Sequence, residues 1–174
     1  MTDLTAQLPP EIDFSAFDFT NITNSFLNGE ESASSVSEKY LIFFLDGESY
    51  AVASKQVAEA APMLPIAKLP NAPEWLAGIA NLRNEIITVV NLSAVLKKQR
   101  AAAPKSKLIV LHSPNSVPSF AFLADRLSEI VSLQDKEIKR TNDENAPYIF
   151  GTVVHLSGKL NLIDTEKILS SLTI

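Results

Sequence analysis

The chain has 174 residues, 46% of them hydrophobic and 20% charged, a balance that excludes collagen-like, mucin-like and wholly disordered classes. Its net charge of -5 lacks the basic excess of a typical nucleic-acid binder. The absence of cysteine removes disulfide frameworks, thiolate nucleophiles and cysteine-ligated metals together. No segment reads as a signal peptide, and none approaches the roughly 20 apolar residues of a spanning helix, so a cytoplasmic protein without membrane insertion is expected.

Residues 1–38 form an acidic leader. They hold Asp3, Glu11, Asp13, Asp18, Glu30, Glu31 and Glu38 and no base, yet also Phe14, Phe17, Phe19 and Phe26. Phe19, Ile22 and Phe26 have helical spacing. Two readings stand side by side: a flexible leader, and a docking segment that orders on a partner or on its own body.

From Tyr40 the pattern changes to short apolar runs between turn signals, the mark of many small strands. YLIFFL and ESYAV flank Asp46-Gly47, which predicts a tight hairpin. KLIVLH and SFAFLA predict a second hairpin across a turn holding Pro114, Asn115 and Pro118. Between the two regions, residues 97–107 (KKQRAAAPKSK) are rich in lysine and arginine and lack apolar periodicity, so they read as a solvent-exposed connector.

The paired hairpins suggest an internal repeat. GIANLRNEIITVVNLSAVL (78–96) lies over GTVVHLSGKLNLIDTEKIL (151–169) without a gap, pairing Gly78 with Gly151, Ile87 with Leu160 and Asn91 with Asp164. YAVASKQVAEA (50–60) lies over FAFLADRLSEI (120–130), pairing Tyr50 with Phe120, Val57 with Leu127 and Glu59 with Glu129. Asn91 and Asp164 each stand between an apolar strand and a helical stretch, where a short side-chain oxygen can accept first-turn amides. Two halves of about 60 residues follow, each large enough for one small barrel and stable only if the two share a core. A single large sandwich is the alternative.

Catalytic raw material is thin. His112 ends one apolar strand and His155 lies in another, and no HExxH, GxSxG, CxxC or EF-hand spacing is present. GTVVHLSGK has six residues between its glycines where a phosphate loop needs four, so Ser157-Gly158-Lys159 reads as a hairpin turn. No catalytic residue, metal site or cofactor is expected, and the surfaces of the body act by binding.

The segment PNAPEWLAGIANLRNEIITVVNL (70–92) resembles the signature of the CheW family, the adaptors of bacterial chemoreceptor arrays. YLIFFLDGESYAVASKQVAEA resembles the family's opening hairpin and following helix, FAFLADRLSEIVSL its apolar-Asp strand, and YIFGTVVHLSGKLNLIDTEKIL its closing hairpin and helix. The resemblance runs from about 39 to 172. It departs from the family at Asn84, where glycine is usual, at Thr88, often proline, and at Asn91, usually Asp. Asn84 can hold positive φ and Asn91 can cap a helix, whereas Thr88 restores a backbone donor.

This resemblance implies a mostly β fold of two SH3-like five-stranded barrels with short helices and a C-terminal helix. The domain would occupy 39–174, with subdomains at about 39–97 and 106–174. It further implies a non-enzymatic adaptor, located with receptor arrays at the inner membrane face. Such an adaptor couples the cytoplasmic tip of chemoreceptors to the regulatory domain of a CheA-type histidine kinase, with other CheW-like domains as further partners. A paralogue serving twitching motility or array tuning is the alternative within the family. Outside it stand an enzyme or ligand-binding module on the same barrels, and a nucleic-acid binder acting through the connector. Carried onto this sequence, the receptor- or kinase-binding residues are Val57, Glu59, Gly78 and Arg83. Arg83 has a second reading as a bridge to Glu59, Gly78 as a site of close backbone approach, and Val57, on an expected short helix KQVAEAA, as core. Asp125 and Asp164 are expected to be turn or cap residues.

Overall fold

The computed structural model describes residues 37–98, 106–112, 119–156 and 158–172. The leader up to residue 36, most of the connector, the turn holding Pro114 to Pro118, and Ser157 lie outside them.

The apolar runs form the expected strands. β1 (Ser37–Leu45) and β2 (Glu48–Ala53) are an antiparallel hairpin across Asp46 and Gly47. Both turn residues have positive φ, +51° and +82°, as a two-residue turn matched to strand twist requires. A 3-10 turn at Ser54–Gln56 leads into β3 (Val57–Pro62), followed by β4 (Leu76–Leu82), β5 (Glu85–Val90) and the short helix α1 (Leu92–Val95). The second region gives β6 (Lys107–Leu111), β7 (Phe120–Ala124), β8 (Arg126–Gln134), the two-residue β9 (Lys139–Arg140), β10 (Ile149–His155), β11 (Gly158–Ile163) and α2 (Thr165–Ser171).

The helix expected over KQVAEAA is not formed. Its alanines favour a helix, but Val57, Glu59, Ala60 and Ala61 instead pair with β6, so sheet pairing overrides local propensity.

The strands make two sheets, sheet A in the order β8-β1-β2-β11-β10-β9 and sheet B in the order β3-β6-β7-β5-β4. These are two barrels with five principal strands each, β9 being a two-residue addition to the first. The repeat read from the sequence maps β1, β2, β3, β4 and β5 onto β6, β7, β8, β10 and β11. Under that map the order of one sheet becomes the order of the other. The parallel junctions agree in register too: Tyr50 stands opposite Asn161 and Ala51 opposite Leu162, while Phe120 stands opposite Thr88 and Ala121 opposite Val89. Both closing hairpins carry a bulge at the same place, between Leu76 and Gly78 and between Ile149 and Gly151.

The sheets cut across a division at the connector. Sheet A joins β1 and β2 from the first half to β8–β11 from the second, and sheet B joins β3–β5 to β6 and β7. Each barrel is thus built from both halves. Period-2 patterning fixes which face a residue occupies but not which strand lies beside it, so the exchange is a tertiary outcome.

Alternation sorts the apolar residues into three cores. Tyr40, Ile42, Ala51, Leu160 and Leu162 fill barrel A, and Leu108, Val110, Ala121, Ile87 and Val89 fill barrel B. The opposite faces of the same strands, through Leu41, Phe43, Tyr50, Val52, Ile109, Leu111 and Phe122, pack between the barrels. β1, β2, β6 and β7 are therefore buried on both sides, which is why they read as near-continuous apolar runs. Phe43 and Tyr50 stack at this shared core with centroids 5.8 Å apart.

The departures from the family pattern have distinct structural outcomes. Asn84 sits at φ +69°, as expected for the residue standing in for glycine. The Thr88 amide donates to the Ser119 carbonyl at 2.8 Å, a bond that proline could not make. Asp164 caps α2 by accepting from the Lys167 amide at 2.9 Å. Asn91 occupies the equivalent position before α1 but makes no side-chain cap bond. Its amide group instead donates to the Glu74 carbonyl at 3.4 Å, an option a carboxylate lacks.

Candidate functional site

Arg83 and Asn84 form the tip between β4 and β5, and both have positive φ, +49° and +69°. The mirror-image turn that joins twisted strands demands this. Asparagine tolerates it better than arginine, for which it costs about 1 kcal/mol or more. The Asn84 amide donates to the Asn81 carboxamide oxygen at 3.0 Å, fixing the turn. From this tip the Arg83 guanidinium reaches Glu59 Oε2 at 3.1 Å.

Glu59 lies on β3, at one end of the order of sheet B, and Arg83 follows β4, at the other end. The pair therefore links the two ends of the barrel. The Arg83 side chain is 81% exposed and that of Glu59 26%, so the bridge contributes no more than about 1 kcal/mol to stability. Barrel A shows that the frame does not depend on such a pair. There the repeat places Leu156, wholly exposed, at the arginine position and Glu129, also exposed, at the glutamate position.

Gly78 and Val57 take other parts. Gly78 lies within β4, five residues and roughly 16 Å from the tip at strand spacing. Its φ is +141°, and a Cβ there would strike the Ala67 carbonyl oxygen and lie 2.7 Å from Ile66 Cγ2. The Ala67 segment crosses it closely, exchanging backbone hydrogen bonds with Ile79 of 2.8 and 3.0 Å. Val57 is buried in the core between the barrels. Of the four expected contact residues, the fold brings Glu59 and Arg83 together at the surface, uses Gly78 for close backbone approach, and commits Val57 to packing.

Asp125 is a turn residue, as expected. Its carboxylate accepts the Asp46 amide at 2.7 Å and its amide donates to the Phe44 carbonyl at 2.9 Å, which pins the β7–β8 crossing to the first hairpin. Glu48, at the start of β2, accepts from both Lys98 Nζ, at 2.7 and 2.8 Å, and Tyr50 OH, at 2.9 Å. Burial alone would raise the Glu48 pKa, but the bonds from Lys98 and Tyr50 and the charges of Lys98 and Lys159 hold it below the usual carboxylate value. Burial and the adjacent carboxylate push the Tyr50 hydroxyl far above its usual range, so it stays a donor.

Two surface features escaped the sequence reading. An open groove of about 560 Å³ lies along β4 and the segment that precedes it, lined by Met63, Ile66, Lys68, Leu69, Leu76 and Ala77 among others. Its signal in the sequence is the run of Pro62, Pro65, Pro70 and Pro73 with apolar residues between, which holds a strand-free segment against the barrel. The second feature is the β10–β11 tip, where Val154 and Leu156 are exposed. The helices among the described residues include none long and apolar enough to cross a membrane, and those residues contain no cluster of three or more metal-ligating side chains.

Comparison with known proteins agrees with this architecture. The chain is 27% identical over 154 residues to the chemotaxis protein CheW of Klebsiella aerogenes, covering 86% of this chain and 89% of that one. It is 25% identical over 124 residues to the chemotaxis protein CheW of Rhizobium meliloti, covering 71% and 75%. The fold is similar to the crystal structure of the scaffolding protein TtCheW from Thermoanaerobacter tengcongensis, with a TM-score of 0.67 at 20% identity over 79% of this chain and 90% of that chain. Residues 39–173 match the family model of the CheW-like domain, and the chain belongs to that family.

Proposed function

We propose that the protein is a non-catalytic adaptor that couples chemoreceptors to a CheA-type histidine kinase within a bacterial chemosensory array at the inner face of the membrane. The observation that carries this reading is the family match from residue 39 to 173, which takes in both barrels and the junction between them. In this reading the Arg83 and Glu59 side chains offer a cation and an anion at the rim of barrel B. Arginine suits the task because its planar fork can hold two partner oxygens together. Gly78 and Val57 support the surface from within. Other CheW-like domains are further partners, and nucleic acid is not among them.

Titration calorimetry tests the reading, with the full chain in the cell and, in separate runs, the regulatory domain of the cognate kinase and the cytoplasmic hairpin of a chemoreceptor in the syringe. Saturable one-to-one heat with either partner is expected. Absence of heat with both, at two temperatures to avoid a zero-enthalpy crossing, would remove the adaptor assignment.

A further inference from the structure

The duplication makes each barrel a template for the other, and the two differ sharply at one place. Ile66 and Ile138 occupy matching positions. Their Cγ2 atoms lie 2.7 and 2.6 Å from where a Cβ would stand on Gly78 and Gly151. Lys68 thus corresponds to Arg140, and Ala77, just before Gly78, corresponds to Phe150, just before Gly151. In the same way Met63, which follows β3 and bonds to Ser106, corresponds to Leu133 on β8, which pairs with Glu38.

In barrel A the site is full. Phe150 and Ile138 pack on the barrel core beside Leu133, which is 5% exposed, and the Arg140 guanidinium lies 5.5 Å above the Phe150 ring. In barrel B the ring is missing. Ala77 supplies only a methyl group against the core, Met63 is 41% exposed, and the space opens as the groove of about 560 Å³, with Lys68 on its rim. Among the described residues no aromatic side chain lines it.

We propose that this groove is a docking slot for one aromatic side chain of a partner protein. The ring takes the place in barrel B that Phe150 takes in barrel A, with the Lys68 ammonium in the position of the Arg140 guanidinium. A ring in such a slot removes a large apolar area from water and gains a cation–π contact, the chemistry of an interface anchor. The large hydrophobic side chains exposed among the described residues, Met63, Leu69, Ile86, Val154 and Leu156, are all non-aromatic, so this chain could offer a ring to the slot only from its leader, where Phe14, Phe17, Phe19 and Phe26 lie. The inference stands on the repeat and is independent of the adaptor assignment.

The full chain contains two methionines, Met1 and Met63, so methyl-13C methionine labelling places one reporter in the slot. Titration with N-acetyl-phenylalanine methylamide should move the Met63 methyl upfield by ring current, saturably, at millimolar concentration. N-acetyl-leucine methylamide should bind about tenfold more weakly. Ala77→Phe, which supplies the ring in cis as barrel A does, should abolish the response. If that variant does not fold, Lys68→Ala should weaken the aromatic probe while leaving the leucine probe unchanged. An unmoved Met63 signal, equal binding of both probes, a Met63 shift that follows protein concentration without probe, or a Met63 shift without probe when Phe14, Phe17, Phe19 and Phe26 are all replaced by leucine would each overturn the proposal, the last two by assigning the slot to a second copy or to the leader.

Discussion

Replacing Gly78 by alanine imposes two separable burdens, and the structure supplies a control for each. At φ +141° a side chain sits where L-residues rarely go, which costs about 1–3 kcal/mol. The added Cβ also meets the Ala67 carbonyl and Ile66 at less than van der Waals separation, an overpacking cost of about 1–3 kcal/mol. Gly47 isolates the first burden, since its φ is +82° and nothing lies within 4 Å of its would-be Cβ. Gly151 isolates the side-chain part of the second, since its Cβ would lie 2.6 Å from Ile138 Cγ2 without a positive φ and 3.4 Å from the nearest backbone oxygen. Gly78→Ala should therefore lose about 4 kcal/mol, and Gly47→Ala and Gly151→Ala about 2 kcal/mol each. For a chain of this size each kcal/mol moves the midpoint by about 3 °C, so Gly78→Ala should melt about 12 °C below the parent. Circular dichroism melts and urea titrations of the three variants measure this directly. A Gly78→Ala loss no larger than that of Gly47→Ala would refute the close-approach account. Unchanged stability with lost partner binding would return Gly78 to the contact surface.

Three further outcomes are expected. Arg83→Ala should change stability by less than about 1 kcal/mol while weakening partner binding by calorimetry, whereas Arg83→Gly, which also relieves the positive φ, should melt at or above the parent temperature; a large loss of stability in either would make the ion pair a structural bolt. Glu48 has its folded pKa lowered from 4.5, so its stabilisation is present above that pH and is lost as pH falls through the lower folded value. The acid limb of the stability profile should accordingly flatten in Lys98→Met, by an amount near that of an exposed pair, and an unaltered limb would count against the Glu48–Lys98 link. Asn91→Asp should lengthen the life of α1 by supplying the missing cap, with a gain of about 0.5–1 kcal/mol offset in part by the bond to Glu74; slower amide exchange at Ala94 is the direct readout, and faster exchange would mean that the Glu74 bond matters more.

The legible part of this molecule was its repetition. Pairing Tyr50 with Phe120 and Ile87 with Leu160 sets β2 against β7 and β5 against β11 as equivalents, and the two parallel junctions between them share one register. The unread part was whatever depends on neighbours distant in the chain. KQVAEAA carries helical propensity, yet from Val57 onward it is a strand because β6 offers its edge. Asn91 matches Asp164 in position and differs in function because the Glu74 carbonyl is within reach. The family resemblance names Arg83 and Glu59 as contact residues, with a bridge between them as the second reading of Arg83, and the two side chains stand 3.1 Å apart. The groove was readable in principle. Ala77 against Phe150 is the pair just before Gly78 against Gly151, and the loss of a ring at a matching position is a loss of volume.

The exchange of strands has a mechanical corollary. The chain passes from sheet A to sheet B through the three residues Ser54–Gln56 and returns through the single residue Asp125. The barrels are joined by these two short struts and by one apolar core through Leu41, Phe43, Tyr50, Ile109 and Phe122, so turning one barrel against the other would have to open that packing.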